Sequence, residues 1–173
     1  MESYASELGV EFRFDGMLFP RLGDMGGDRL GQIPPEDLVD LDMDDTERCA
    51  AWHKFWDEFG GLPARASYLY HCGAGHHSFH INSSGQLSMC LMARQPAYDL
   101  LGGNFKDGWD RHLGSLRIAC RTRRVKCETC ELMTLCGQCP GWSQLVHGDD
   151  ETPVEFLCRV GHLRAARLGL LNR

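Results

Sequence analysis

The sequence predicts an α+β fold in which a β-hairpin and several helices surround two metal sites within a small cysteine-rich domain. Three observations point there. Seven cysteines, Cys72, Cys90, Cys127, Cys130, Cys136, Cys139 and Cys158, recur at spacings that suit metal ligation. A hairpin pattern lies among them. Stretches of helical apolar periodicity lie before, between and after them.

From the N-terminus, SYASEL reads as the tail of a helix. GVEFRFDGMLFPRL, Gly9 to Leu22, then alternates Val10, Phe12 and Phe14 with Glu11, Arg13 and Asp15, a strand signal ended by Gly16 and Pro20. Residues 23–35, rich in Gly, Asp and Pro, read as a long loop, and the acidic run 36–47 as a solvated loop and helix face. DDTERCAAWHKFWDEFGG has Asp44 or Asp45 as N-cap and Gly60 and Gly61 as a stop. Its Trp52, Phe55, Trp56 and Phe59 form a helical stripe expected to pack in the core, with His53 off the stripe on the surface. Cys49, on the same helix, reads as a buried apolar residue rather than a ligand.

SFHINSSGQLSMC, Ser78 to Cys90, reads as two short strands around an NSSG turn, a hairpin that delivers Cys90. NFKDGWDRHLGSLR follows as a helix with Trp109, Leu113 and Leu116 on one face. The last segment opens with Pro153, a good first-turn residue, and sets Val154, Leu157, Val160, Leu163 and Leu168 roughly at helical spacing. Cys158 lies within that helix.

Composition narrows the function. The 173 residues are 43% hydrophobic and 24% charged, ordinary for a globular chain. No apolar run approaches the roughly 18–20 residues a bilayer requires. MESYASELGVEF lacks a basic n-region and an apolar h-region, so a cytoplasmic location is expected. A net charge of −6 argues against a general nucleic-acid binder. RTRRVK, Arg121 to Lys126, is a local basic run that reads as a solvated face, with charge balance for thiolates or docking of an acidic peptide as the other uses.

Nine cysteines in a reducing compartment point to metal ligation before disulfides, and the odd count leaves at least one thiol outside any complete pairing. Thiolates bind zinc or iron–sulfur clusters. The Cys127/Cys130 and Cys136/Cys139 pairs are separated by five residues. Zinc ribbons usually leave about 15–20 between theirs, which makes opposed zinc knuckles tight without excluding them. Seven cysteines exceed one four-coordinate site and fall one short of two, so one complete centre and one with an open or differently filled position are expected.

In this order the cysteines resemble the SPASM domain, the C-terminal auxiliary domain of many radical S-adenosylmethionine (radical SAM) enzymes that mature peptides and proteins. Its pattern is Cys-x9-15-Gly-x4-Cys, then Cys-x2-Cys-x5-Cys-x3-Cys, then a final Cys. Cys72, Gly85 and Cys90 match the first block with x12; Cys127, Cys130 and Cys136 match the second; Cys158 supplies the last ligand. Cys139 departs from the pattern, following Cys136 after two residues rather than three. The resemblance spans roughly 66–165 and implies three parts: 1–22, the end of a radical SAM partial barrel; 23–65, a linker with an amphipathic helix; 66–173, the SPASM-like iron–sulfur domain.

The resemblance implies two interleaved 4Fe–4S clusters. Cys72, Cys90 and Cys139 would hold the first, and Cys127, Cys130, Cys136 and Cys158 the second. Cys120, His76, His77, His80, water or a substrate atom would complete the first. The expected partners are a radical SAM catalytic domain or subunit and a peptide or protein substrate, with neither nucleic acid nor membrane. No Cys-x3-Cys-x2-Cys loop is present, so the chain has no S-adenosylmethionine site of its own and looks like part of a larger enzyme. Nor does a phosphate-cradling glycine loop or a nucleophilic Ser/His constellation stand out. Two other readings remain: a two-zinc structural or protein-interaction module, and a stand-alone ferredoxin-like electron carrier. A barrel remnant at residues 3–20, with Phe12, Phe14 and Leu18 exposed, would weigh against the carrier.

Overall fold

The structure, a computed structural model, describes residues 1–20, 32–61 and 68–171. It mixes helices with one small antiparallel sheet. α1 (Glu2–Glu7) is followed by an irregular segment through Pro20. α2 (Pro35–Met43) and α3 (Thr46–Phe59) come next, then the short strands β1 (His80–Ile81), β2 (Gln86–Ser88) and β3 (Tyr98–Asp99). α4 (Phe105–Asp107), a π-helical stretch (Gly108–Leu113) and α5 (Gly114–Arg117) run on without a break. A 3₁₀ turn (Lys126–Thr129), α6 (Met133–Cys136), α7 (Pro140–His147) and α8 (Glu155–Arg167) complete the described chain. Among the described residues no helix is long and apolar enough to cross a membrane.

The hairpin forms as the NSSG turn predicts. Asn82 accepts through its side-chain oxygen from the amides of Ser84 and Gln86, both at 2.9 Å. Gly85 takes φ +74° to close the turn. His80 then pairs with Ser88 and Ile81 with Leu87. β3 adds a third strand on the other side of β2, pairing Leu87 with Tyr98. Leu87, Met89 and Ala93 bury against Leu113, with Trp109 and Leu116 packed alongside, so the apolar face expected of the 105–117 helix does seat on the sheet.

A second cluster joins Leu38, Val39 and Met43 of α2 to Leu135 of α6 and Val160, Ala165 and Leu168 at the α8 end. The segment expected to be a linker therefore shares a core with the cysteine-bearing helices. The acidic run keeps most of its carboxylates partly solvated, as expected, but it also lays α2 along α8 through a ladder of ion pairs, with Asp42 largely buried. Arg159 meets Glu36, Arg164 meets Asp42 at 2.7 Å, and Arg167 meets Asp40 and Asp44. Arg164 is buried; it also donates to the Leu135 carbonyl at 2.9 Å and stacks 4.1 Å over Trp52. Alternating acids on α2 thus read out basic residues one turn apart on α8.

Three expectations change. The strand at Gly9–Leu22 does not form among the described residues, where no strand runs beside it to complete a hydrogen-bond ladder. Phe14 instead lies under Arg48 at 3.8 Å and Phe19 against Trp142 at 4.6 Å, while Leu18 is exposed and Phe12 half-buried. The α3 stripe is only half a core face: Trp52 and Trp56 pack on the α2–α8 cluster, whereas Phe55 and Phe59 are exposed. Asp45 caps that helix, accepting from Arg48 N at 2.8 Å. The loop expected at 23–35 lies mostly outside the described residues, and Pro35 already belongs to α2.

Candidate metal centres

The stretch from Val125 to Gly141 folds as a chain of short turns that present cysteines at their ends. Cys127 sits in the 3₁₀ turn, Cys130 follows it, and Cys136 ends α6. Gly137, at φ +65°, reverses the backbone in the left-handed region that glycine tolerates. Cys139 is then the N-cap of α7, with Pro140 at its first position.

Two glycines set the close approaches. A Cβ on Gly161 would lie 2.6 Å from Cys136 Cβ and 3.1 Å from its Cα, so only glycine lets α8 rest on the end of α6. Cys158 is on α8 one turn earlier. A Cβ on Gly141 would lie 2.7 Å from the Ala93 amide nitrogen, which brings the start of α7 against the residues just after Cys90. Ala93 N–H in turn donates to Cys90 Sγ at 3.3 Å.

These contacts divide the thiols. Burial pushes the Cys136 thiol up to about 12, opposed by the Gln138 amide and reinforced by the thiols of Cys158, Cys127 and Cys130. Burial raises Cys127 too, with Cys158 and Cys130 adding to it and Arg121 and Lys126 opposing. Burial raises Cys139, the amides of Trp142 and Gly141 oppose it, and Cys90 and Cys72 reinforce it. One neighbourhood therefore holds Cys127, Cys130, Cys136 and Cys158; the other holds Cys72, Cys90 and Cys139. Among the described residues no three or more His, Cys, Asp or Glu side chains stand where they would hold a metal ion directly. The sets are defined by mutual influence and not by a closed coordination sphere.

Each set carries donors aimed at sulfur. In the four-thiol set the Gln138 amide faces Cys136, and Gln138 Nε2 donates to Cys158 Sγ at 3.4 Å. The same side chain is clamped to Val154, Nε2 to its carbonyl at 2.8 Å and Oε1 from its amide at 3.1 Å. Lys126 donates to Glu155 at 3.0 Å, close enough to Cys158 for the thiol to raise the ammonium. In the three-thiol set the N-terminal amides of α7 face Cys139, where the helix dipole also favours negative sulfur. Tyr70 lies beside this set. Burial raises its phenol, with Asp150 and the thiols of Cys90, Cys139 and Cys72 adding to the effect. Such donor-rich, partly buried thiol sets suit thiolate ligation.

The remaining candidates separate. His71 and His76 line a cavity together with Cys72 and Cys139. His80 sits in β1 with Nδ1 3.4 Å from Ser88 Oγ, and His77 is exposed beside His76. Cys120 is exposed, its thiol directed 3.7 Å to the Ile118 carbonyl, and Cys49 is half-buried against the core. RTRRVK is a mostly exposed face, as expected, with Thr122, Arg123, Arg124 and Lys126 exposed; on it Thr122 and Arg123 bond Glu151, Arg123 pairs with Asp149, and Lys126 pairs with Glu155. Sequence reasoning missed Gln138, Tyr70, Arg121 and Gly161. Only Gly161 carried a signal, a glycine one turn after Cys158 in a helix that otherwise needs none.

No protein-family model matches the chain, and neither a curated protein nor a solved structure matches it.

Proposed function

We propose that the chain is a SPASM-like auxiliary domain of a radical SAM enzyme that modifies a peptide or protein. It would hold two 4Fe–4S clusters and act in electron relay or substrate engagement, beside a catalytic centre supplied by another domain or subunit. The observation that carries this reading is the environment of Cys139. It follows Cys136 after two residues, yet its thiol neighbours are Cys72 and Cys90, while those of Cys136 are Cys127, Cys130 and Cys158.

The donor chemistry fits. Four cysteines complete one cubane, and three leave one iron for a further ligand, for which His76 lines the same cavity as Cys72 and Cys139. When bound, the clusters would supply one-electron chemistry. The residues around them would hold sulfur as thiolate: Gln138 by donating to Cys158 and Ala93 to Cys90, with the Lys126 charge near Cys158 and the α7 amides near Cys139 favouring the anion. Those donors favour the more negative state and so tune the potential.

The test is anaerobic purification followed by iron, sulfide and zinc analysis with a visible spectrum. Roughly eight irons and eight sulfides per chain are expected for two four-iron clusters. A colourless protein with about two zinc ions and no sulfide would overturn this reading in favour of the structural zinc module.

A further inference from the structure

A cavity of about 770 Å³ opens between the His71–His76 turn and the α6–α7 junction, within the roughly 300–1,000 Å³ range of small-molecule sites. Phe59, Tyr68, Ile118 and Met133 give it an apolar side. Tyr70, Arg117 and Thr134 give it a polar one, and each carries an atom shielded from solvent without a hydrogen-bond partner: Tyr70 Oη, Arg117 Nη2 and Thr134 Oγ1. Polar atoms left so are rare and costly, and a ligand is a common reason for them.

Arg117 is the sharpest case. Its Nε donates to the Gly75 carbonyl and its guanidinium lies 4.3 Å over the Trp109 ring, which fixes its position. Among the described residues it forms no ion pair, whereas Arg159, Arg164 and Arg167 on α8 each meet an acid of α2. No Asp or Glu lines the described wall, in a chain with 24 such residues against 18 Lys and Arg. A half-buried cation with no counter-ion among the described residues, in a pocket whose described wall carries no carboxylate, asks for an anion from outside.

We propose that this cavity binds a carboxylate-bearing ligand with an apolar or aromatic body. Its carboxylate pairs with Arg117, the hydroxyls of Thr134 and Tyr70 donate to its oxygens, and the body rests on Phe59, Tyr68, Ile118 and Met133. One guanidinium and two hydroxyls match a monoanion in charge and donor count; a phosphate dianion is usually met by several cations or a nest of backbone amides. Cys72, Cys139 and His76 line the same cavity, so the ligand would lie beside the proposed three-thiol cluster, but its recognition by Arg117, Thr134 and Tyr70 does not require that cluster.

The full chain is titrated calorimetrically with N-acetyl-L-phenylalanine and with its carboxamide, which has the same shape and no charge. The acid is expected to bind at least about tenfold more tightly than the amide. Arg117→Gln should erase that preference, and Thr134→Val should weaken the acid several-fold while leaving the amide unchanged. No binding of the acid at millimolar concentration, or equal binding of acid and amide, overturns the proposal; it would mean that Arg117 serves only to balance the nearby thiolates. If Arg117→Gln does not fold, Thr134→Val decides, and unchanged acid affinity in that variant overturns the proposal. Metal analysis of the same samples keeps the two questions apart, since zinc or no metal with acid binding retained overturns the iron–sulfur reading and leaves this one standing.

Discussion

Gln138 donates its side-chain amide to the sulfur of Cys158 across 3.4 Å while the same group clamps both backbone atoms of Val154. One residue thus fastens the cysteine-rich stretch to the entrance of α8 and supplies a donor to the thiol that α8 brings. Gln138→Leu keeps much of the volume and removes all three bonds. Because Val154 is buried, its unpaired amide should cost about 1–3 kcal/mol in urea denaturation, while its carbonyl keeps the Cys158 amide as donor. In metal-loaded protein the potential of the cluster at Cys158 should fall, since a donor to sulfur favours the more reduced, more negative state. A potential unchanged in the variant would leave Gln138 a structural clamp only.

Gly161 makes a second, purely steric prediction. An added methyl must displace Cys136 Cα or Cβ, and these belong to the backbone of α6 rather than to a flexible side-chain tip. Gly161→Ala should therefore destabilise the chain by about 1–3 kcal/mol, despite the better helix propensity of alanine. Metal held by the four-thiol set should be lost before metal held by Cys72, Cys90 and Cys139. Chemical denaturation together with metal content reads both effects, and a variant as stable as the parent would show that α8 can shift without cost.

The acidic helix α2 allows buried and exposed ion pairs to be compared on one element. Arg164 and Asp42 have side-chain exposures of 6% and 18%, whereas Asp44, which pairs with Arg167, has 72%. Asp42→Ala strands a buried guanidinium and should cost about 3–5 kcal/mol. Asp44→Ala should cost under about 1 kcal/mol. Equal effects in thermal or urea melts would mean that Arg164 draws its support from Leu135 and Trp52 rather than from Asp42.

What could be read from the sequence follows from how local each signal is. The Asn82–Gly85 turn, the Leu113 face and the Leu157–Val160–Leu168 face are written within one element, and the structure carries all three. The alternation at Val10, Phe12 and Phe14 is equally local, but a strand needs a partner, and the described residues provide none beside it. The acidic run looked solvated because its partners, Arg159, Arg164 and Arg167, lie more than a hundred residues further on. α7 begins directly after the last cysteine of the cluster, and Pro140 at its first position is its local signal in the sequence. At the candidate site the cysteine types and spacings were legible, whereas Gln138, Tyr70 and Arg121 matter only through contacts across the fold.

The clamp on Thr122 and Arg123 gives a pH dependence. Glu151 accepts from Thr122 N at 2.9 Å, Thr122 Oγ1 at 2.7 Å and Arg123 N at 3.1 Å. Asp149 accepts from Thr152 N and Thr152 Oγ1, each at 2.7 Å. Burial alone would raise both carboxyls, but these bonds prevail and hold them below the usual carboxylate range. A lowered folded-state value means that the added stability is complete above the unfolded values, near about pH 4, and is lost as pH falls through the folded ones. Glu151→Gln should flatten the acid limb of stability between about pH 5 and pH 3, measured by urea melts at stepped pH. An acid limb of unchanged slope would assign the loss to other carboxylates.

The proposed division of the thiols is tested most directly by two cysteines that are close in sequence to Cys136 or in space to it, but not both. Cys158 is far along the chain and belongs with Cys136; Cys139 is two intervening residues away and belongs with Cys72 and Cys90. Under the two-cluster reading, Cys158→Ala and Cys139→Ala should each retain about four irons of about eight, and the two residual clusters should differ in electron paramagnetic resonance. If sequence proximity governed ligation instead, Cys139→Ala would strip the same cluster as Cys136→Ala and leave the same residual signal. Circular dichroism on each variant separates loss of a ligand from loss of the fold. Because Gly137 turns the backbone between Cys136 and Cys139, and α7 begins at once with its amides facing Cys139, the shortened spacer is the feature that would send these two thiols to different centres.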